Sequence, residues 1–240
     1  MLSERILMTP DRHFVFVIIM YVNIMYNYVY TLLVCLFAGV GRWLVLTDSI
    51  AKYVRVNDKT EVLAFPGDTV KKLTDRIAFG EVSVVGYSRI LIHVGCNDVS
   101  NSVFSKKERR YTTVITIMDR FRALRSVIRR VNSGALLLFS SILPRREKYQ
   151  LFRPLIQGLN FALEKFCAKS KGTNIFIPSF RCFLSHGEPR PEYFSDRDGL
   201  HLDGAGVVKL QGVFQQALSS GYLRVRVKCE RAKMLAAIKY

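Results

Sequence analysis

The sequence predicts an α/β fold built on a doubly wound, five-stranded parallel sheet. Three observations point to it. After residue 41, short apolar runs alternate five times with longer stretches, as when strands buried on both faces are crossed over by helices. The first three runs stop in small polar residues, where the crevice at the carboxyl ends of such strands would lie. The length of 240 residues fits one large α/β domain, or one of about 180 to 200 residues with extensions at both ends.

The first run is Arg42-Trp43-Leu44-Val45-Leu46-Thr47-Asp48-Ser49-Ile50, apolar until a polar turn that carries Ser49. After a short helical turn (Ile50 to Val54) and the polar turn at Asn57-Asp58-Lys59, Glu61 to Phe65 reads as the second strand and ends in Pro66-Gly67-Asp68-Thr69. Val70, Leu73 and Ile77 then recur at helical spacing. The third strand, Arg89 to Val94, runs into Gly95-Cys96-Asn97-Asp98. A long helix with a basic face follows from Tyr111 to Val131, then a strand at Ala135 to Phe139. The break Ser140-Ser141-Ile142-Leu143-Pro144 precedes a helix from Leu151 to Ala168, with Leu155, Leu159, Ala162 and Phe166 on its apolar stripe. The fifth strand is Asn174 to Ile177, stopped by Pro178. A long loop leads to Asp198-Gly199-Leu200-His201, and a last helix runs from Ala205 to Leu218. Right-handed crossovers favour strand order 2-1-3-4-5, which puts the switch point between the first and third strands, beside Ser49 and Asn97.

Three segments follow from this reading: an apolar stretch at 1–40, the α/β domain at 41–220 and a basic tail at 221–240. No charged residue occurs from Phe14 to Val40. As a helix that stretch would span roughly 40 Å, against a hydrocarbon core of about 30 Å. It is expected as a membrane anchor, with an extra surface helix or a segment outside the functional fold as alternatives. Arg42, Lys52 and Arg55 follow it, which would keep the domain cytoplasmic; without a span the protein is expected in the cytoplasm.

The net charge of +17 implies an anionic partner, a lipid headgroup surface or nucleic acid, or else simply solvated helix faces. Basic residues cluster at Lys106 to Arg110, Arg120 to Arg130, Arg145-Arg146 and Arg224 to Lys239, without the aromatic interleaving of a nucleic-acid motif. The five cysteines are odd in number and widely spaced, with no Cys-x-x-Cys pair. That argues against a zinc site and against a disulfide framework. Neither metal nor cofactor is expected.

The loop ends hold the groups for acyl transfer. A serine hydroxyl needs a general base, usually a histidine held in one tautomer by a third group. Ser49 and His201 both fall at carboxyl-end loops, and Asp198 lies within one turn of chain of His201. The backbone amides of Ser49 and Gly67 and the side-chain amide of Asn97 are available for a developing oxyanion. Singly, each has a plainer reading as a turn residue, a type II turn, a helix cap or an exposed loop histidine. His93 reads as a packed or sheet-end histidine, and His186 as a loop residue facing water. Phe180, Phe183 and Tyr193 could form an apolar wall of the site or simply core.

On these blocks the chain resembles the SGNH (GDSL-like) hydrolases. Leu46 to Ile50 resembles their first block with its nucleophilic serine, and Pro66 to Thr69 the second with its oxyanion glycine. Gly95-Cys96-Asn97-Asp98 is similar to the third and Asp198-Gly199-Leu200-His201 to the fifth, all in order. The resemblance covers residues 42 to 220 and implies a three-layer α/β/α flavodoxin-like fold. It also implies metal-independent ester hydrolysis through an acyl-serine: catalytic Ser49, Asp198 and His201, with the oxyanion held by Ser49, Gly67 and Asn97. Within the family it is similar to the esterase domains of animal retrotransposon reading frames, judged by Ile90 to Asn101, Ser140 to Arg146 and Asp198 to Leu210. Thr47 departs from the family's glycine. If that position needs positive φ or close approach, the turn would be distorted and activity reduced. A catalytically silent fold that binds anionic lipid or nucleic acid through its basic patches is the alternative function.

Overall fold

Alternating apolar residues place a core on both faces of one parallel sheet. The computed structural model describes residues 41–104, 110–170 and 172–219. Residues 1–40, the tail 221–240 and Lys106 to Arg109 lie outside them, and with them the membrane-anchor expectation. Among the described residues no helix is long and apolar enough to cross a membrane.

The sheet comprises β1 (Arg42–Thr47), β2 (Thr60–Ala64), β3 (Tyr87–His93), β4 (Leu136–Ser140) and β5 (Asn174–Ile177), in the order β2-β1-β3-β4-β5. All its pairings are parallel, with Leu46 between Leu63 and Ile92. The helices are α1 (Val70–Ala78), α2 (Cys96–Phe104), α3 (Arg110–Val131), α4 (Tyr149–Ala168) and α5 (Gly204–Ser219).

The period of two decides which side chains meet which layer. Leu44, Leu46, Ile90, Ile92, Leu137 and Phe139 pack with α1, α3 and α4 through residues such as Leu73, Phe121 and Leu159. Their neighbours Trp43, Val45, Leu91 and Leu138 pack on the other face with Ile50, Val54 and the α5 residues Leu210, Phe214 and Leu218. The result is three layers, α/β/α. Each large apolar side chain fully buried in this way contributes about 1.5–3 kcal/mol.

Two differences from the expected elements bear on the site. The block after β3 opens a helix, α2, where the sequence reads as a loop. The long loop after β5 carries a hairpin of β6 (Leu184–Ser185) and β7 (Glu188–Pro189).

The basic face of α3 largely serves the fold. Arg120 pairs with buried Asp98 at 2.8 Å, and Arg122 pairs with Asp119. Arg125 lies over Phe166, 5.1 Å from the ring centroid. Arg129 donates to the carbonyls of Ser133 at 2.9 Å and Thr173 at 2.7 Å, tying α3 to the segments that lead into β4 and β5.

Candidate active site

Ser49 follows β1 in a turn pinned on three sides. The Phe65 amide donates to the Thr47 carbonyl at 2.8 Å, the Asp48 amide to the His93 carbonyl at 3.3 Å, and the Ile50 amide to Asp48 Oδ1 at 3.0 Å. Asp48 therefore shapes the turn through its carboxylate. Burial pushes its carboxyl up to about 6, against the amides of Ile50 and Cys96, which hold it down. Thr47 is buried as the last residue of β1, and its φ is not positive. The backbone angle that a β-branched residue resists is not required there.

The second loop is a tight turn in which the Asp68 amide donates to the Phe65 carbonyl at 3.1 Å, with Gly67 at φ 82°. That angle favours glycine, and a Cβ built at Gly67 meets nothing within 4 Å, so the positive φ rather than crowding is what calls for glycine there. The third block anchors this turn. Asn97 Nδ2 donates to the Asp68 carbonyl at 2.9 Å, and Asp98 Oδ2 accepts from the Val70 amide at 2.8 Å while its other oxygen holds Arg120.

The fifth block closes the constellation. His201 Nε2 lies 3.1 Å from Ser49 Oγ, and its Nδ1 2.7 Å from Asp198 Oδ2. Asp198 Oδ1 accepts from the amides of Leu200 and His201, both at 2.9 Å. Burial raises the Asp198 carboxyl, but the hydrogen bonds from the His201 ring and the two amides outweigh it and hold it at about 2. An ionised Asp198 accepts from Nδ1–H, which leaves the Nε2 lone pair facing the Ser49 hydroxyl. Gly199, at φ 58°, lets this turn approach the chain after β4. A Cβ there would stand 2.8 Å from the Glu147 nitrogen, and the Gly199 carbonyl accepts from the Arg146 amide at 2.7 Å.

The structure thus brings Ser49, His201 and Asp198 into one hydrogen-bonded chain and joins Asn97 to the Gly67 turn. His93 stays apart, buried at the end of β3 with Nδ1 2.9 Å from Ser140 Oγ and its ring edge-on to Phe214. Burial lowers its pKa to about 4. His186 sits exposed on the β6–β7 turn. The Cys96 thiol is buried and pushed up to about 12, first by desolvation and then by Asp48, with Arg145 opposing. Phe180 and Phe183 are core, and Tyr193 packs edge-on against Phe183, so packing rather than a site wall explains them. Arg145 was legible only as half of a basic pair. It is buried, and its Nη2 donates to Ser100 Oγ at 2.8 Å, one turn beyond Asn97 on α2. Its place directly after Pro144, at the carboxyl end of β4, is the signal that marks it.

Comparison with known structures places the fold. A Streptococcus pneumonia protein whose name refers to platelet activating factor is 19% identical and superposes with a TM-score of 0.60, over 83% of this chain and 99% of its own. A GDSL-like lipase from Bacteroides thetaiotaomicron is 18% identical with a TM-score of 0.56, over 74% and 87%. The chain shares the fold of these structures. The esterase domain of a zebrafish retrotransposon protein, at 24% identity, covers 73% of this chain and 97% of its own with a TM-score of 0.39, too distant to weigh on the narrower SGNH resemblance. No family model and no curated protein matches the chain. Within this fold, Ser49, Asn97 and His201 all stand at the carboxyl end of the sheet, where ligands of open α/β sheets bind.

Proposed function

We propose that the protein is a serine ester hydrolase. The observation that carries this reading is the chain from Asp198 Oδ2 through the His201 ring to Ser49 Oγ, with contacts of 2.7 and 3.1 Å. Ser49 Oγ attacks the ester carbonyl as His201 Nε2 takes its proton. The tetrahedral oxyanion is held by the backbone amides of Ser49 and Gly67 and by Asn97 Nδ2, whose second N–H is not the one given to Asp68. The carbonyl then re-forms and the alcohol departs with the proton from His201. Water, activated by the same imidazole, releases the acid from the acyl-serine. Asp198 stays ionised and holds the tautomer. The oxyanion donors are aimed before substrate arrives, which is where most of the rate gain of such sites originates.

The GDSL-like lipase and esterase names among proteins of this fold support the same reaction class. The experiment is labelling with a fluorophosphonate probe, which needs an activated serine but no knowledge of the substrate. Wild type should label and hydrolyse p-nitrophenyl acetate, and Ser49→Ala should do neither. Absence of both in folded wild type would remove the proposal.

A further inference from the structure

We infer that Arg145 recognises an anionic group on the ester, so that the substrate carries a carboxylate or phosphate near the scissile bond. The inference rests on the ester-hydrolase reading and adds the substrate class. Arg145 is 8% exposed, its guanidinium lies over the Phe152 ring at 4.3 Å, and its Nη2 donates to the neutral Ser100 hydroxyl. Its Nε is buried without a hydrogen-bond partner. Among the described residues Arg145 forms no ion pair, whereas the adjacent Arg146 pairs with Asp196 at 2.5 Å.

A buried charge without an ion-pair partner is costly, and a thiol such as Cys96 is too weak an acceptor to offset it. Arg145 also stands between the two loops that carry the chemistry. Ser100 is one helical turn from Asn97. The next residue, Arg146, holds the Gly199 carbonyl inside the Asp198–His201 turn. A guanidinium stacked and fixed in this way loses little freedom on gripping an oxyanion with its remaining donors. An anionic substituent on the ester would supply the countercharge that no described side chain gives in an ion pair.

The test compares kcat/KM for p-nitrophenyl acetate, p-nitrophenyl hemisuccinate, whose anion is on the acyl side, and 4-acetoxybenzoate, whose anion is on the alcohol side. Wild type is expected to favour one anionic ester over the neutral one by about tenfold or more. Arg145→Gln should collapse that ratio towards one, and Arg145→Lys should leave an intermediate value. An unchanged ratio in Arg145→Gln, or no anionic preference in a catalytically active wild type, overturns the inference. Should Arg145→Gln fail to fold, the Lys variant decides on the same ratio.

A second readout is independent of turnover. Ser49→Ala is titrated calorimetrically with p-nitrophenyl hemisuccinate and with 4-acetoxybenzoate, then again with Arg145→Gln added. Binding lost with Arg145 supports the inference even if wild type proves catalytically inert, in which case only the hydrolase reading fails. Fluorophosphonate labelling with equal binding in both proteins leaves the hydrolase reading intact and overturns this one.

Discussion

Asn97 and Asp68 stand 29 residues apart in the chain and meet through one hydrogen bond, Nδ2 to the backbone carbonyl at 2.9 Å. That bond fixes the amide of the third block against the turn of the second. Two of the three donors proposed for the oxyanion, Gly67 N and Asn97 Nδ2, are thus mutually braced. Asp98 adds a second tie by accepting from the Val70 amide, so the turn is held at both ends.

Replacing Asn97 with Ala removes a donor and a brace at once. A lost oxyanion donor costs about 10²–10³ in kcat, and loosening of Gly67 should put this variant at the upper end. Steady-state kinetics on p-nitrophenyl acetate checks it: kcat should fall far more than KM rises. A change in KM alone would place Asn97 in ground-state binding instead.

Asp198→Asn isolates the tautomer. An asparagine Oδ1 can still accept from the Leu200 and His201 amides, so the turn should persist. Its NH₂, however, would face Nδ1 and favour the ring form that turns N–H towards Ser49. A fall in kcat of about 10⁴ is expected, with circular dichroism and thermal midpoint close to wild type. Because the Asp198 carboxyl is held at about 2 by the His201 ring and two amides against burial, its own titration should leave the rate profile around neutral pH unaffected.

The sheet was legible because each strand is a short apolar run and every crossover after β2 carries a helix; order, direction and the switch point followed. The meeting of Ser49 with His201 was legible as well, since loops at the same ends of parallel strands must converge. What could not be read lies where local pattern is weak. Cys96 to Phe104 is rich in Asn and Ser, which favour caps and turns over helix interiors, yet it forms α2 with Val99 buried. The two-residue strands β6 and β7 are too short to carry a period. The pairing of Arg120 with Asp98 and the burial of Arg145 depend on contacts across 22 and 45 residues of chain, so charge clustering alone read them as surface.

Thr47 was the residue that did not fit, and its environment makes a sharp prediction. It is buried in β1, between Ala64 and His93 in register. Thr47→Gly would restore the family's residue but remove a strand side chain from a packed position. The variant should lose about 1–2 kcal/mol of stability without gaining activity. Urea unfolding gives the first quantity and kcat/KM the second; a rise of tenfold or more in kcat/KM would show that Thr47 obstructs the site.

Asp48 and His93 give the stability of the protein an unusual pH dependence, because burial displaces their pKa values in opposite directions. The Asp48 carboxyl is raised to about 6, so the folded state holds its proton more tightly than the unfolded chain. Its contribution is full below the ordinary carboxyl range and is lost as pH rises through about 6, a change on the order of 3 kcal/mol. The His93 ring is lowered to about 4. Its contribution is full above the ordinary histidine pKa of about 6.5 and is lost as pH falls towards 4, again on the order of 3 kcal/mol. The two slopes oppose each other over the same window, roughly pH 4 to 6, and should leave the wild-type profile nearly flat there. Asp48→Asn keeps an acceptor for the Ile50 amide while deleting one slope. This variant should be more stable than wild type at about pH 8 and should lose that advantage on acidification, because the Asp48 slope is absent from it. Denaturant unfolding from about pH 4.5 to about pH 8 measures both curves. Parallel curves for the two proteins would mean that Asp48 does not carry its proton into the folded state.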